Sequence, residues 1–428
     1  FLRTVELQFR KDISNFSPQN ISNMMWAFGR MGHRGKYTTM LAMQKSMLQR
    51  SDEFYQPRNV QAVTNITWSV AAVGHQPRLK YLELLEERLP PLMPVMNEQE
   101  LVNTIWAMSD FRYVPAAPFL RSMEAALIAT LQGGRVEPRH RAQHLANSLS
   151  AFQKLGCRPT DELMAVMDRA ILNLEMHHFT EQAKTNLIWS MTMMDRTDLA
   201  SYRPLWIALE QSMSKEMRIE SLGQVYQAAM MLEHVHKSCD VDCWELVPAL
   251  VRRAVDARKE RIKAIKDGRH TPVAPTMSRF HKEVSLVLSM LRLRHSNEFI
   301  TEEGVFVDIK VENQDGRMVA IEVDGRPHFS VNGGQPLGST ITRDRLLKAC
   351  GWELIVVPLD EWTVLSTFQD KVRYMTTKLG DLVLPHQKTS DLAPQGESLL
   401  QMYGYVACDI FSILAVEICV AIRLFLSA

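Results

Sequence analysis

One short pattern recurs along the first half of this chain and limits what it can become. Asn and Trp stand three residues apart at Asn23/Trp26, Asn65/Trp68, Asn103/Trp106 and Asn186/Trp189. The tryptophans are 42, 38 and 83 residues apart, and the long interval is two periods, because Asn147 falls inside it with Ser150 in the tryptophan place. A sixth, degraded copy fits around Ile219 to Leu232. A period near 40 residues marks a repeat array. Each copy opens as a helix does, with a residue able to cap and then proline or acid: Ser17-Pro-Gln, Gln56-Pro-Arg, Asn97-Glu-Gln, Glu137-Pro-Arg and Thr180-Glu-Gln. After each tryptophan helix come small or breaking residues. A second apolar-periodic helix follows: Tyr37 to Leu48, Leu79 to Leu89, Phe119 to Leu131, Asp161 to Leu174 and Pro204 to Met217. Such a helix pair cannot bury its apolar face alone, but stacked neighbours can. The pattern therefore predicts an α-solenoid of about six helix pairs over residues 1–266.

The repeated pair has two readings. In the structural one, tryptophan packs between helices and asparagine bonds a neighbouring backbone group. In the other, the indoles stack on bases. The first is preferred, because identical residues suit packing between units, whereas a sequence-reading code needs residues that differ. The varied polar positions of the first helices, Arg30, Arg58, Gln61 and Arg112, are the better RNA-contact candidates.

A formal net charge of +1 over 428 residues excludes a polycation, so any nucleic-acid surface must come from segregated charge. The most basic stretch, Arg252 to Arg269, holds eight Lys/Arg against three acids. It reads either as the solvated face of a capping helix or as an edge that tracks phosphates through Arg252, Arg253, Arg258, Lys259, Arg261 and Lys263. Residues 267–276, with Pro272 and Pro275, form the predicted linker. Six cysteines give no disulfide framework, and His234, His236, Cys239 and Cys243 match no zinc-ligand spacing. The apolar tail is interrupted by Asp409, Glu417 and Arg423. It suits a docked amphipathic helix better than a membrane anchor, and no membrane partner is expected. A chain that begins at Phe1 rather than Met leaves room for a preceding transit peptide.

Beyond the linker the periodicity changes. Val305 to Val311 alternates as a half-buried strand does, Asn313 to Gly316 is a turn cluster, and Met318 to Val323 is set to pair antiparallel with the first strand. Thr342 is the expected N-cap of a helix to Cys350, with Gly351 at its end. Trp352 to Val357 is a third strand, and a helix from Asp360 to about Leu379 closes the unit. Upstream lie an apolar helix stripe (Phe280, Val284, Val287, Leu288, Leu291) and a further short strand near Phe299.

The segments Ala320 to Phe329 (AIEVDGRPHF) and Thr342 to Trp362 resemble the RAP domain, a C-terminal module of organellar RNA-binding proteins of apicomplexans and of the FAST kinase family. The match rests on Glu322-Val-Asp324-Gly325, His328-Phe329, Arg343-Asp344-Arg345, Gly351 and the Val357-Pro358…Glu361-Trp362 close. The repeats are similar, more loosely, to heptatricopeptide or octotricopeptide arrays. The resemblance implies a small α/β, restriction-endonuclease-like RAP domain over 277–384, behind the solenoid and before a tail at 385–428. In endonuclease-like folds acids on adjacent strands hold a divalent metal, which makes Asp308, Glu322 and Asp324 the catalytic candidates and Asp308 and Glu322 the metal candidates. Mg²⁺ would be the cofactor only if the protein is a nuclease. Asp324 stands where that motif's lysine belongs, so non-catalytic RNA binding is preferred, with His328, Arg343, Arg345 and Lys348 offered to phosphate. The expectation is an organellar, mitochondrial RNA binder (apicoplast or another plastid being the alternative). It would take rRNA or mRNA, not DNA, and work in processing, stability or ribosome assembly beside mitoribosomal proteins. A Mg²⁺-dependent endoribonuclease and a protein-binding scaffold are the alternatives.

Overall fold

The computed structural model describes residues 2–133, 136–236, 239–267, 277–312 and 316–382. Nearly all of the expected linker and the apolar tail from 385 onward lie outside the described residues. In chain order, and leaving aside one-turn pieces, the array is α1 (Leu2–Asp12), α2 (Pro18–Arg30), α3 (Tyr37–Gln49), α4 (Val60–Ala72), α5 (Leu79–Arg88), α6 (Glu98–Asp110), α7 (Ala117–Gly133), α8 (Pro138–Leu155), α9 (Asp161–Leu172), α10 (Glu181–Met193), α11 (Tyr202–Gln211), α12 (Ile219–His234) and α13 (Pro248–Lys266). The even-numbered helices carry the Asn/Trp copies. They pack side by side, each against the next, and α13 joins this layer after α12. The odd-numbered helices up to α11 form a second, outer layer that is less closely packed than this inner one. One continuous apolar core runs between the layers from Phe9 to Ala254.

Four of the five expected helix starts are where the sequence places them; after Gln56, Pro57–Asn59 is a 3-10 turn and α4 begins only at Val60. Ser17, Glu137 and Thr180 each accept a backbone N–H of the first turn, and Asn97 forms a reciprocal capping box with Glu100. Two further devices repeat. Each inner helix ends in a 6→1 backbone bond, from His33, His75, Tyr113, Cys157, Arg196 and His236 to the carbonyls of Phe28, Val70, Met108, Phe152, Met191 and Met231. Each outer helix also sends a side-chain oxygen to the start of the next. Gln44 accepts from Arg78 N, Glu86 from Ala116 N, Glu124 from Thr160 N, Asp168 from Ser201 N and Glu210 from Ala249 N. These contacts satisfy N–H groups that a helix terminus cannot satisfy internally, and most place negative charge at a positive dipole end.

The C-terminal unit runs α14 (Arg279–Met290), β1 (His295–Ile300), β2 (Phe306–Glu312), β3 (Met318–Asp324), α15 (Gly338–Ala349), β4 (Trp352–Pro358), α16 (Leu359–Thr363) and α17 (Phe368–Leu379). The sheet order is β1-β2-β3-β4, antiparallel except for the β3–β4 pair, which α15 crosses over to join. Ile309, Val311, Val319, Ile321, Ile355 and Val357 pack with α14 and α17. Ala320 and Trp352 pack with Leu347 of α15.

Two expectations need correcting. Thr342 is not an N-cap; α15 begins at Gly338, and its first turn is held by the Thr340 hydroxyl, which donates to the His328 carbonyl at 3.0 Å. The closing helix is broken into α16 and α17, because Thr367 and Asp370 form a capping box that starts a new helix.

Candidate nucleic-acid interface

The two units share a polar seam. Val331 N–H donates to the Arg112 carbonyl at 2.9 Å, and Asn332 exchanges hydrogen bonds with both backbone groups of Val114. Gly338 lies so close to α8 that a Cβ there would stand 1.7 Å from the Gln153 carbonyl oxygen. Arg345 donates to the Met193 carbonyl at 2.9 Å and to the Asp195 carboxylate. Tyr226 donates to the Glu303 carbonyl, and Arg258 to that of Gly304. Arg112 and Asp195 occupy the left-handed position after α6 and α10, at φ 54° and 60°, where Gly32, Gly74 and Gly156 stand in the other copies. Both of these non-glycine positions therefore lie on the seam.

This seam changes the roles of several expected phosphate ligands. Arg345 and Arg258 tie the two units together, and Arg258 also lies over the Tyr226 and Phe306 rings at 5.9 and 5.6 Å. Arg253 donates to the Ser214 and Lys215 carbonyls. The expectation that these three arginines are free for phosphate is corrected by those bonds. Arg252, Lys259, Arg261, Lys263 and Lys348 are exposed. His328 is half-buried, 3.6 Å from Asp324.

The candidate catalytic acids are split. Glu322 and Asp324, about 1% exposed, both face Arg343, at 2.8 and 3.2 Å, and the same guanidinium bonds Asp344 at 2.9 Å. Burial pushes the Glu322 carboxyl up to about 9, against the pull of Arg343 and with the help of Asp308, Asp324 and Asp344. Several carboxylates share one guanidinium, and a proton kept on Glu322 relieves the excess negative charge. Burial alone would lower the Arg343 pKa, but these acids outweigh it and hold the guanidinium charged. Arg343 is thus an internal counter-ion, and its expected role as a phosphate ligand is corrected too. Asp308 is near enough to act on Glu322 but is bonded differently. Its carboxylate accepts from Val323 N–H at 2.8 Å and gathers with His281 and Glu298. The cysteine and histidine group near 236 does not converge. His236 donates to the Thr192 carbonyl, and the Cys239 sulfur accepts from Val241 N–H.

The inner layer carries a repeated set of polar and aromatic residues. Four residues before each Asn stands a Gln: Gln19, Gln61, Gln99, Gln143 and Gln182. Gln19 donates to Asn23 at 2.9 Å and Gln182 to Asn186 at 2.8 Å, while Gln224 of the next helix donates to Asn186 at 3.2 Å. Where they bond, the asparagines therefore meet side-chain amides, not the backbone groups expected. The indoles follow the same line. Trp26 is 47% exposed with the Arg30 guanidinium 5.8 Å from its ring, and Trp68 and Trp106 lie 6.5 Å apart across adjacent helices. Trp189 donates to Gln227 and packs with Met193, Met230 and Leu346, where the C-terminal unit begins. Arg30, Arg58 and Gln61, the last a member of the row, are exposed, whereas Arg112 seats the C-terminal unit.

A family model described as the RAP domain matches residues 321–378, the span from β3 to α17. The chain is 26% identical over 373 residues to a chloroplastic RAP domain-containing protein of Oryza sativa subsp. japonica, covering 85% of this chain and 52% of the relative. It is 19% identical over 387 residues to a mitochondrial FAST kinase domain-containing protein 3 of Bos taurus, covering 86% and 55%. The chain spans about half the length of these curated relatives. The sheet unit behind the array therefore carries a RAP domain match, and the chain is similar along most of its length to a RAP domain-containing protein and to a FAST kinase domain-containing protein.

Proposed function

We propose that the protein is an organellar, mitochondrial RNA binder whose inner helical layer grips single-stranded RNA and whose RAP domain binds at one end of that track. The observation that carries this is the Gln/Asn/Trp row, where amides and partly exposed indoles recur at one position of successive helices. Every base offers a π-face, so a repeated identical platform gives a grip that tolerates sequence. Backbone charge would be met by Arg30 and Arg58 along the row and by Lys259, Arg261, Lys263 and Lys348 near its end. The relatives named for the chloroplast and the mitochondrion support an organelle as the setting. RNA processing, stability or ribosome assembly is the task such binding suits. Catalysis is not part of the proposal, because Arg343 already neutralises the carboxylates a metal would need.

Crosslinking the tagged protein to RNA in cells, followed by sequencing, tests the reading. Recovery of organellar transcripts or rRNA, crosslinked mainly through inner-layer peptides, is the expected outcome. Crosslinks confined to cytosolic RNA, or none above background, would reject it.

A further inference from the structure

The His281, Glu298 and Asp308 group lies on α14, β1 and β2, beside the Arg343 cluster but sharing no residue with it. One ligand-type atom from each residue lies within 4.8 Å of the others. His281 is 5% exposed. Its Nε2 lies 3.1 Å from Asn297 Oδ1, and the Asn297 amide in turn donates to Ser285 Oγ at 3.2 Å. His295 Nδ1 donates to the Leu293 carbonyl at 2.9 Å, so in the neutral ring its Nε2 accepts the Ser285 hydroxyl proton at 2.7 Å; Ser285 Oγ then accepts from the Asn297 amide, and Oδ1 is left to accept from His281 Nε2. The Nδ1 atom is then turned toward Glu298, 3.5 Å from Oε1. A metal-bound histidine has the same arrangement: one ring nitrogen donates to a fixed acceptor, and the other is left for the ion. Asp308 is prepared in the same way, since one oxygen is engaged by Val323 N–H. The Nδ1 atom and the two carboxylates thus converge in a partly buried corner of a size that suits one cation.

We propose that His281 Nδ1, Glu298 and Asp308 form a divalent-cation site that pins α14 to the β1–β2 hairpin. One imidazole with two carboxylates suits Mn²⁺ or Zn²⁺. Water would complete the coordination, since Glu298 is 39% exposed at its side chain. The site does not use Glu322 or Asp324, and it needs no nuclease reaction.

The test is calorimetric titration of the metal-stripped full chain with MnCl₂, and separately with ZnCl₂, alongside thermal melting. The expected result is one equivalent bound and a raised Tm. Glu298→Gln and His281→Gln should each weaken binding at least tenfold with unchanged circular dichroism, and Glu322→Gln should leave it unchanged. No saturable binding of either ion would overturn the site and leave an imidazolium–carboxylate ion pair in its place. Binding lost in Glu322→Gln but kept in Glu298→Gln would overturn it as well, by moving the ion to β3.

Discussion

Glu322 is a residue whose chemistry departs far from its ordinary state. Its carboxyl is pushed up to about 9 by burial, so from the ordinary carboxylate range to pH 9 the folded chain holds a proton that the unfolded chain has lost. A raised folded pKa gives stability that is full at acid pH and falls as pH rises toward 9. The slope is about 1.4 kcal/mol per pH unit for one fully linked proton. Glu322→Gln removes the titration, so urea unfolding followed from pH 5 to 9 is expected to show a flatter dependence in the variant. Equal slopes in the two proteins would mean that Glu322 is ionised in the fold. The motif Glu322-Val-Asp324 was legible in the sequence, but its environment was not. Arg343 lies 19 residues away on a crossover helix, and only the β3–α15–β4 path brings it onto both carboxylates. For the same reason the basic residues divide as they do. Exposed Lys348 and seam-bound Arg345 are three positions apart on one helix, and nothing in their local sequence separates them.

At the scale of elements, the repeat period and the helix starts could be read directly, because capping and apolar spacing act over a few residues. The oxygen that each outer helix lends to the next could not, since it bridges more than 25 residues and is Gln in one copy, Glu in others and Asp in another. The Gln four residues before each Asn is a further signal in the sequence, outside the Asn/Trp pattern itself. Asp168→Ala removes the acceptor for Ser201 N–H and Ala200 N–H, and is expected to cost about 1–2 kcal/mol in denaturant unfolding. A loss under a few tenths would show that water caps α11 equally well. The α15 start was misplaced because its position is set by contact, not by local preference. Gly338 meets the Gln153 carbonyl with no room for a methyl group. Gly338→Ala is therefore expected to loosen the seam, seen as faster amide exchange in 338–349 and new protease cleavage near the linker. Unchanged exchange there would contradict the close approach.

For the whole molecule, the near-zero net charge hides a division of labour. Arginines close the seam and the carboxylate cluster, while other cations stay in solvent on α13 and α15. Affinity for RNA is accordingly expected to fall with rising salt, but gently, with a slope of the few phosphates those cations can reach. Stacking on the inner row should supply the rest, at about 1–3 kcal/mol per base. The most direct measurement is the affinity of the chain for a single-stranded RNA of about 20 nucleotides, compared with a Trp26→Ala, Trp68→Ala, Trp106→Ala variant whose helical content and melting are checked first. The expected result is a loss of at least tenfold that persists at high salt. An affinity unchanged in the triple variant would contradict the inner row as the RNA track.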